Sequence, residues 1–253
     1  MADPEFSECS FYIKGTDCGP DDGLLMSVLL GDIQETAELG ASECGFDTYD
    51  INKHNACWIV LRNRIHINNL PRWRDTITIR TWHTGIEKFY YGREYEIFDK
   101  ERNVIGYGTS TWIIAEMESH KPIIPGRTPG FDASPAQNSR MVYGEMCPKI
   151  KAPAKPERSA DIIKYADYSE LDHNHHVNNS RYLAWIYDAL HKSGFSTSLI
   201  NDFNINYLTE VKDSEKVELY VEYPEKEKIR VYGYKNDDIS VFASELVYSD
   251  INI

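Results

Sequence analysis

The chain of 253 residues has no apolar run long enough for a membrane helix. The best, Leu24–Leu30, stops at Gly31, where about 18 residues would be needed. Cysteine is scarce: five residues, odd in number and scattered, with no Cys-x-x-Cys pair, so neither a disulfide framework nor a zinc knuckle is supported. Basic charge is in deficit, 27 Lys and Arg against 40 Asp and Glu for a net −13, whereas a general nucleic-acid binder carries the opposite balance. Gly-x-Ser-x-Gly is absent, which disfavours an α/β-hydrolase. A P-loop and a dinucleotide fingerprint are absent too, since Gly106-Tyr107-Gly108 lacks the third glycine. Met1 to Phe6 shows no basic region followed by an apolar stretch, so no secretion signal is read and a cytoplasmic protein is expected.

Apolar residues make up 42% of the chain, enough to fill a sizeable core, and they fall into one pattern used twice. Leu25, Val28, Leu29, Ile33, Thr36 and Ala37 recur at helical spacing over residues 24–39, with Gly40 as the expected stop. Strand chemistry follows at Trp58–Ile67, Ile77–Trp82, Phe89–Phe98 and Val104–Ala115. Turn signals separate these runs at Leu70-Pro71, Thr84-Gly85 and Asp99–Asn103. Most of the prolines then crowd between Pro122 and Pro156, the composition of a connector. Beyond it come a strand-like 161–166, a helix from about Asn179 to Lys192, and alternating segments at 217–223, 229–234 and 241–248. Ile65–Ile79 lies over Ile205–Leu219 at a constant offset of 140 residues. A long helix followed by a curved antiparallel sheet, twice over, predicts an α+β chain with a tandem hot-dog fold, against an unrelated α+β pair with coincidental spacing. The expected division is an amino-terminal repeat over 1–120, a connector over 121–158 and a carboxy-terminal repeat over 159–253.

The chemistry concentrates at Asp172-His173-Asn174-His175-His176-Val177-Asn178-Asn179. Asn178 or Asn179 suits the cap of the following helix, so the loop delivers Asp172, Asn174 and His176 beside a helix amino end. Such an end offers unpaired N–H groups and partial positive charge to a developing oxyanion. In an extended backbone the even spacing points the three side chains to one side. Capping alone explains Asn178 and Asn179 but not the other three. His173, His175 and His176 as metal ligands lack a second cluster to complete a site, and as solvated loop residues they call for no chemistry.

Asp172 to Trp185, read as Asp-x-Asn-x-His-Val-Asn-Asn-x-x-Tyr-x-x-Trp, resembles the active-site segment of the acyl-acyl-carrier-protein thioesterases. Leu70-Pro71-Arg72-Trp73-Arg74-Asp75 resembles that family's Pro-x-Trp-Gly-Asp stretch, with Arg74 where glycine is usual, and Asn206-Tyr207-Leu208-Thr209-Glu210 resembles its Tyr-x-x-Glu segment. The resemblance implies hydrolysis of an acyl thioester without metal or cofactor. Asp172, Asn174 and His176 take the family's loop positions and Glu210 its strand carboxylate. Val211 stands where a cysteine nucleophile has been suggested for plant members, and no cysteine lies beyond Cys147, so a carboxylate-activated water is implied instead. Glu210 or His176 is the general base, and Asp172 holds the loop.

The amino-terminal repeat has Leu70 opposite Glu210 at the 140-residue offset, and no His or Asn in residues 17–23, so it is expected to be non-catalytic. It is also expected to house the acyl chain, with Leu25, Met26, Leu29, Trp58 and Ile79 as candidates against plain core packing. The implied partner is an acyl carrier protein bearing a phosphopantetheine-linked acyl chain, with no role for nucleic acid or membrane, and a monomer or homodimer as the working form. An acyl-coenzyme A thioesterase and a non-catalytic acyl-binding hot-dog protein are the alternatives.

Overall fold

The computed structural model describes residues 5–127 and 136–249; Met1–Pro4, residues 128–135 of the Pro-rich connector and residues 250–253 at the end of the expected carboxy-terminal repeat lie outside them. The chain divides into two compact units, Met1–Leu24 with Leu29–Cys147, and Leu25–Val28 with Pro148–Ile253. Among the described residues no helix is long and apolar enough to cross a membrane.

The amino-terminal unit contains β1 (Ser7–Tyr12), α1 (Met26–Glu43) from Leu29 onward, α2 (Thr48–Asn52), β2 (Ala56–Ile67), β3 (Thr76–Glu87), β4 (Tyr90–Phe98) and β5 (Val104–Glu116). Its antiparallel strands run in the order β1-β3-β4-β5-β2. The carboxy-terminal unit contains β6 (Ile162–Tyr165), α3 (Asn179–Lys192), β7 (Ile200–Tyr207), β8 (Lys216–Glu225), β9 (Lys228–Lys235) and β10 (Ile239–Tyr248). Its order, β6-β8-β9-β10-β7, is the same topology. The repeat offset of 140 residues holds at element ends: β2 and β7 finish at Ile67 and Tyr207, while β3 and β8 begin at Thr76 and Lys216.

Each helix buries one face against its own sheet. Leu29, Leu30 and Ile33 of α1 are buried with Ile65, Ile77, Ile79 and Ile97 of the strands. In α3 the buried face is Tyr182, Leu183, Trp185, Ile186, Ala189 and Leu190, and Tyr182 meets the rings of Tyr207 and Phe242 edge-on. Each such side chain contributes about 1.5–3 kcal/mol. That outweighs the roughly 1 kcal/mol that Gly31 and Gly40 each cost in a helix interior.

Three local expectations are corrected. Gly40 does not stop α1, which continues to Glu43. A Cβ at Gly40 would lie 2.7 Å from Arg93 Nη1 and 3.2 Å from Thr81 Cγ2, so this glycine serves close approach of helix to sheet. The true stop is Gly45, with φ +71°. Its N–H bonds to Ser42 O at 3.0 Å, and Phe46 N–H to Ala41 O at 2.9 Å, the Schellman pattern. Gly194 and Phe195 close α3 through the same two bonds, to His191 O and Leu190 O. Thr84-Gly85 is not a turn but a bulge inside β3, where the register with β4 shifts between His83 and Gly85 and Gly85 takes φ +106°. Finally, the sequence pattern missed β1, a short strand whose Glu8 and Ser10 face polar residues of β3.

Candidate active site

Asn178 caps α3 as expected, its Oδ1 accepting from Ser180 N at 2.9 Å and from Ser180 Oγ at 2.8 Å. The loop before it is not extended. Leu171 and Val177 form an antiparallel bridge, Asp172 N–H donates to His176 O at 2.8 Å, and His175 sits at the tip with φ +62°. Asp172 turns inward: its Oδ1 accepts from Asn174 N at 2.8 Å and from His176 N at 3.4 Å. An aspartate bonding backbone amides two and four residues on competes with an extended chain, which is why period-two alternation fails here. Asp172 therefore braces the backbone that carries Asn174 and His176.

His176 and Glu210 come together, Nε2 to Oε2 at 3.2 Å, with side chains 20% and 39% exposed. The approach is fixed by the backbone, for Val177 N–H donates to Val211 O at 2.8 Å and His176 bridges Lys212. Asn174, His173 and His175 are exposed on the loop. Tyr182 is buried beneath; its phenol is pushed up by burial, then by Tyr207, Glu210 and Asp172, which places both carboxylates in its electrostatic field. Among the described residues no three His, Cys, Asp or Glu side chains gather as metal ligands would.

Two supports escaped the sequence. Glu170 accepts from Trp185 Nε1 at 2.7 Å and from Asp167 N at 3.1 Å, while its carbonyl accepts from Asn178 N at 2.9 Å. Lys235 donates to Glu210 O at 2.7 Å. Trp185 lay inside the recognised motif, but nothing local marks Glu170 or Lys235. Several arginines of the amino-terminal unit are engaged within it. Arg62 bonds Cys147 O at 2.8 Å, Arg80 pairs with Glu8 and Glu96, and Arg64 and Arg74 lie over Tyr143 and Trp73.

The amino-terminal unit repeats this loop without its side chains. At an offset of 153 residues, Gly19 N–H bonds Gly23 O at 2.8 Å, Asp22 takes the tip with φ +64°, and Cys18 bridges Leu24. Leu24 N–H bonds Pro71 O at 2.8 Å and Gly23 bridges Arg72. Gly23 thus stands at the place of His176 and Leu70 at that of Glu210. A Cβ on Gly23 would come within 2.8 Å of Leu70 Cδ2. Arg74 has φ +76°, as Ser214 has +62° in the other unit, which explains why glycine is usual there.

Helix and sheet in this arrangement, twice in one chain, define a tandem hot-dog protein. The acyl-ACP thioesterase amino-terminal domain matches residues 6–124, and the carboxy-terminal domain of the same family matches residues 155–241. The chain belongs to the acyl-ACP thioesterase family. It is 25% identical over 219 residues to a chloroplastic acyl-[acyl-carrier-protein] hydrolase of Cuphea viscosissima, covering 79% of this chain and 51% of that one. The chain spans about half the length of the curated relatives it matches. In fold it resembles an acyl-ACP thioesterase from Bacteroides thetaiotaomicron, with TM-score 0.77, 22% identity and coverage of 97% of this chain and 98% of that one. It also resembles the 12:0-ACP thioesterase from Umbellularia californica, with TM-score 0.78, 18% identity and 97% of each chain covered.

Proposed function

We propose that this protein hydrolyses the thioester of an acyl chain carried on acyl carrier protein, releasing free fatty acid and so ending chain elongation. The observation that carries the reading is the His176–Glu210 pair at 3.2 Å, set beside the amino end of α3 in a chain of this family.

In the proposed reaction, water attacks the thioester carbonyl carbon while the pair takes its proton, with Glu210 as the base and His176 as its hydrogen-bonded partner. General acid–base help of this kind contributes about 10²–10⁴ in rate. The Asn174 carboxamide and the amino end of α3 stabilise the oxyanion, each donor contributing about 2.7–4 kcal/mol. Asp172 holds both loop residues through their amides. Collapse of the tetrahedral intermediate breaks the C–S bond, and the proton held by the pair goes to the departing thiolate. Val211 is buried and apolar beside Glu210, which leaves no thiol there to act as nucleophile.

The amino-terminal unit, with Gly23 and Leu70 at the equivalent places, has no such pair, so the reading assigns one active site per chain and gives that unit the acyl chain. Its helix–sheet interface holds only a small gap of about 10 Å³, room for about one water, between Leu30, Ile33, Val60, Tyr95 and Trp112. Of the candidates for its lining, Leu29, Met26 and Ile79 are buried, and Leu25 is exposed. A reducing, cytoplasmic setting suits five cysteines that are all free thiols.

The test is thiol release from acyl-carrier-protein thioesters and the matching acyl-coenzyme A thioesters, with Glu210→Ala alongside. Release from the carrier-protein series, lost in the variant, is expected. Release from coenzyme A alone would move the substrate, and release from neither would defeat the hydrolase reading.

A further inference from the structure

The segment bearing Glu210 is gripped by a cation, Lys235, whose equivalent position in the amino-terminal unit carries Asp99. Lys235 ends β9, and its side chain is only 13% exposed. Its ammonium donates to the Glu210 carbonyl at 2.7 Å, and to Glu215 Oε1 and Oε2 at 3.0 and 2.9 Å. Glu215 Oε2 also accepts from Lys212 N at 2.7 Å. The backbone on both sides of Val211 is thus tied to one ion pair, while the Val211 carbonyl holds Val177 at the end of the catalytic loop. Burial pushes the Glu215 carboxyl up, but the Lys212 amide and the Lys235 ammonium outweigh it, and the group is held below its ordinary value.

The other unit builds the same turn without the cation. Asp75 Oδ2 accepts from Arg72 N at 2.8 Å as Glu215 does from Lys212, and Pro71 O holds Leu24. Phe98 faces Thr78 in β3 as Tyr234 faces Glu218 in β8, so Asp99 occupies the place of Lys235. Its carboxylate turns away to Asn103 N and Nδ2 at 2.8 and 2.9 Å. Folding of the turn therefore does not require the ammonium. Net stability is a weak reason for it as well, because desolvation offsets most of the attraction in a buried pair.

We propose that Lys235, with Glu215, is a positioning pair for the hydrolysis assigned above, on which this inference rests: it fixes the main chain of Glu210 so that the carboxylate meets His176. Lys235 touches no reacting group: its ammonium reaches the Glu210 carbonyl and, through Glu215, the Lys212 amide. Reacting groups must be held to within about 0.5 Å, and a misplacement of about 1 Å costs on the order of 10² in rate.

The experiment is steady-state hydrolysis of acyl-acyl-carrier protein by Lys235→Met and Lys235→Arg, each also in a Glu210→Gln background, with thermal melts followed by circular dichroism. Lys235→Met is expected to lower kcat about 10- to 100-fold with KM unchanged, and Lys235→Arg to restore most of it. On the Glu210→Gln background Lys235→Met should cost much less, since the main group it positions has gone. Unchanged kcat in Lys235→Met, or an equal loss on both backgrounds, would overturn the proposal while leaving Glu210 as the base. A near-normal Glu210→Gln would bring down the parent reading and this one with it. If Lys235→Met does not fold, Glu215→Gln takes its place: a lowered kcat at constant KM supports the pair, and an unchanged kcat overturns it.

Discussion

The loop Asp17–Leu24 and the loop Glu170–Val177 share a backbone and almost nothing else. Both follow a single 3-10 turn, Gly15–Asp17 and Tyr168–Glu170. Both place a positive-φ residue at the tip, close with an isolated bridge, and hang by one amide from the turn after the second long strand. Yet where one has Gly23 and Leu70 the other has His176 and Glu210. Where one has Asp17 and Asp32, the other has Glu170 bonded to Trp185. The carboxyl of Asp32 is pushed up to about 6 by burial and by Asp17, the repulsive converse of that hydrogen bond. The amino-terminal copy, without the His and Glu, shows that the backbone hydrogen bonds suffice to build the loop. Side chains found only in the other copy are then the ones to credit with function.

The largest expected departure between the copies is kinetic. His176→Ala should lower kcat on acyl-acyl-carrier protein by at least about 10², while Gly23→Ser in the other loop should leave kcat unchanged apart from any loss of folded protein. Steady-state assays beside melting curves separate the two.

A second contrast lies in the sheets. Glu94 of β4 is buried, and burial pushes its carboxyl up to about 7 against the hydrogen bonds from Thr109 and the Val142 amide. Glu94 is paired across the sheet with Trp82 and Thr109, and its counterpart Arg230 is paired with Glu222 and Glu245. Arg230 forms an ion pair with Glu245 at 3.0 Å. Between pH 4.5 and about 7 the native state keeps a Glu94 proton that the unfolded chain has released. Stability therefore falls as pH rises through that window and levels off above it. Glu94→Gln should remove this slope and gain up to about 3 kcal/mol at pH 8, measured by urea unfolding across pH; Arg230→Gln, which keeps Glu94, should retain it.

Smaller effects separate the two interior glycines of α1. Gly40→Ala should destabilise by about 1–3 kcal/mol, because its methyl meets Arg93 and Thr81. Gly31→Ala, with nothing within 4 Å, should stabilise by about 0.5–1 kcal/mol. Denaturant midpoints of the two variants should move in opposite directions.

Much of this was legible in the sequence because it rests on local signals. The span of α3 and its cap at Asn178 follow from an apolar stripe and a polar residue that accepts from the first turn. The 140-residue offset followed from strand alternation preserved in both copies. What escaped depended on contacts distant in sequence. Gly40 reads as a stop until Arg93, 53 positions on, is seen against it. Asp172 reads as one of three side chains on a common face until its carboxylate is seen bonding amides two and four residues ahead. Lys235 carries no motif, and its partner Glu210 lies 25 positions away on a different element. Family resemblance supplied Glu210 itself, since a lone glutamate after a strand has no pattern of its own.

The central claim is that the two loops differ in chemistry and not in fold, and one variant tests it most directly. Replacing His176 by Gly and Glu210 by Leu together gives the loop before α3 the side chains that the loop before α1 has at those two places. The account predicts a protein with the wild-type circular dichroism spectrum, a cooperative melt, and thiol release from acyl-acyl-carrier protein reduced by at least about 10³. A variant that still turns over at near the wild-type rate, or one that no longer folds, would contradict it.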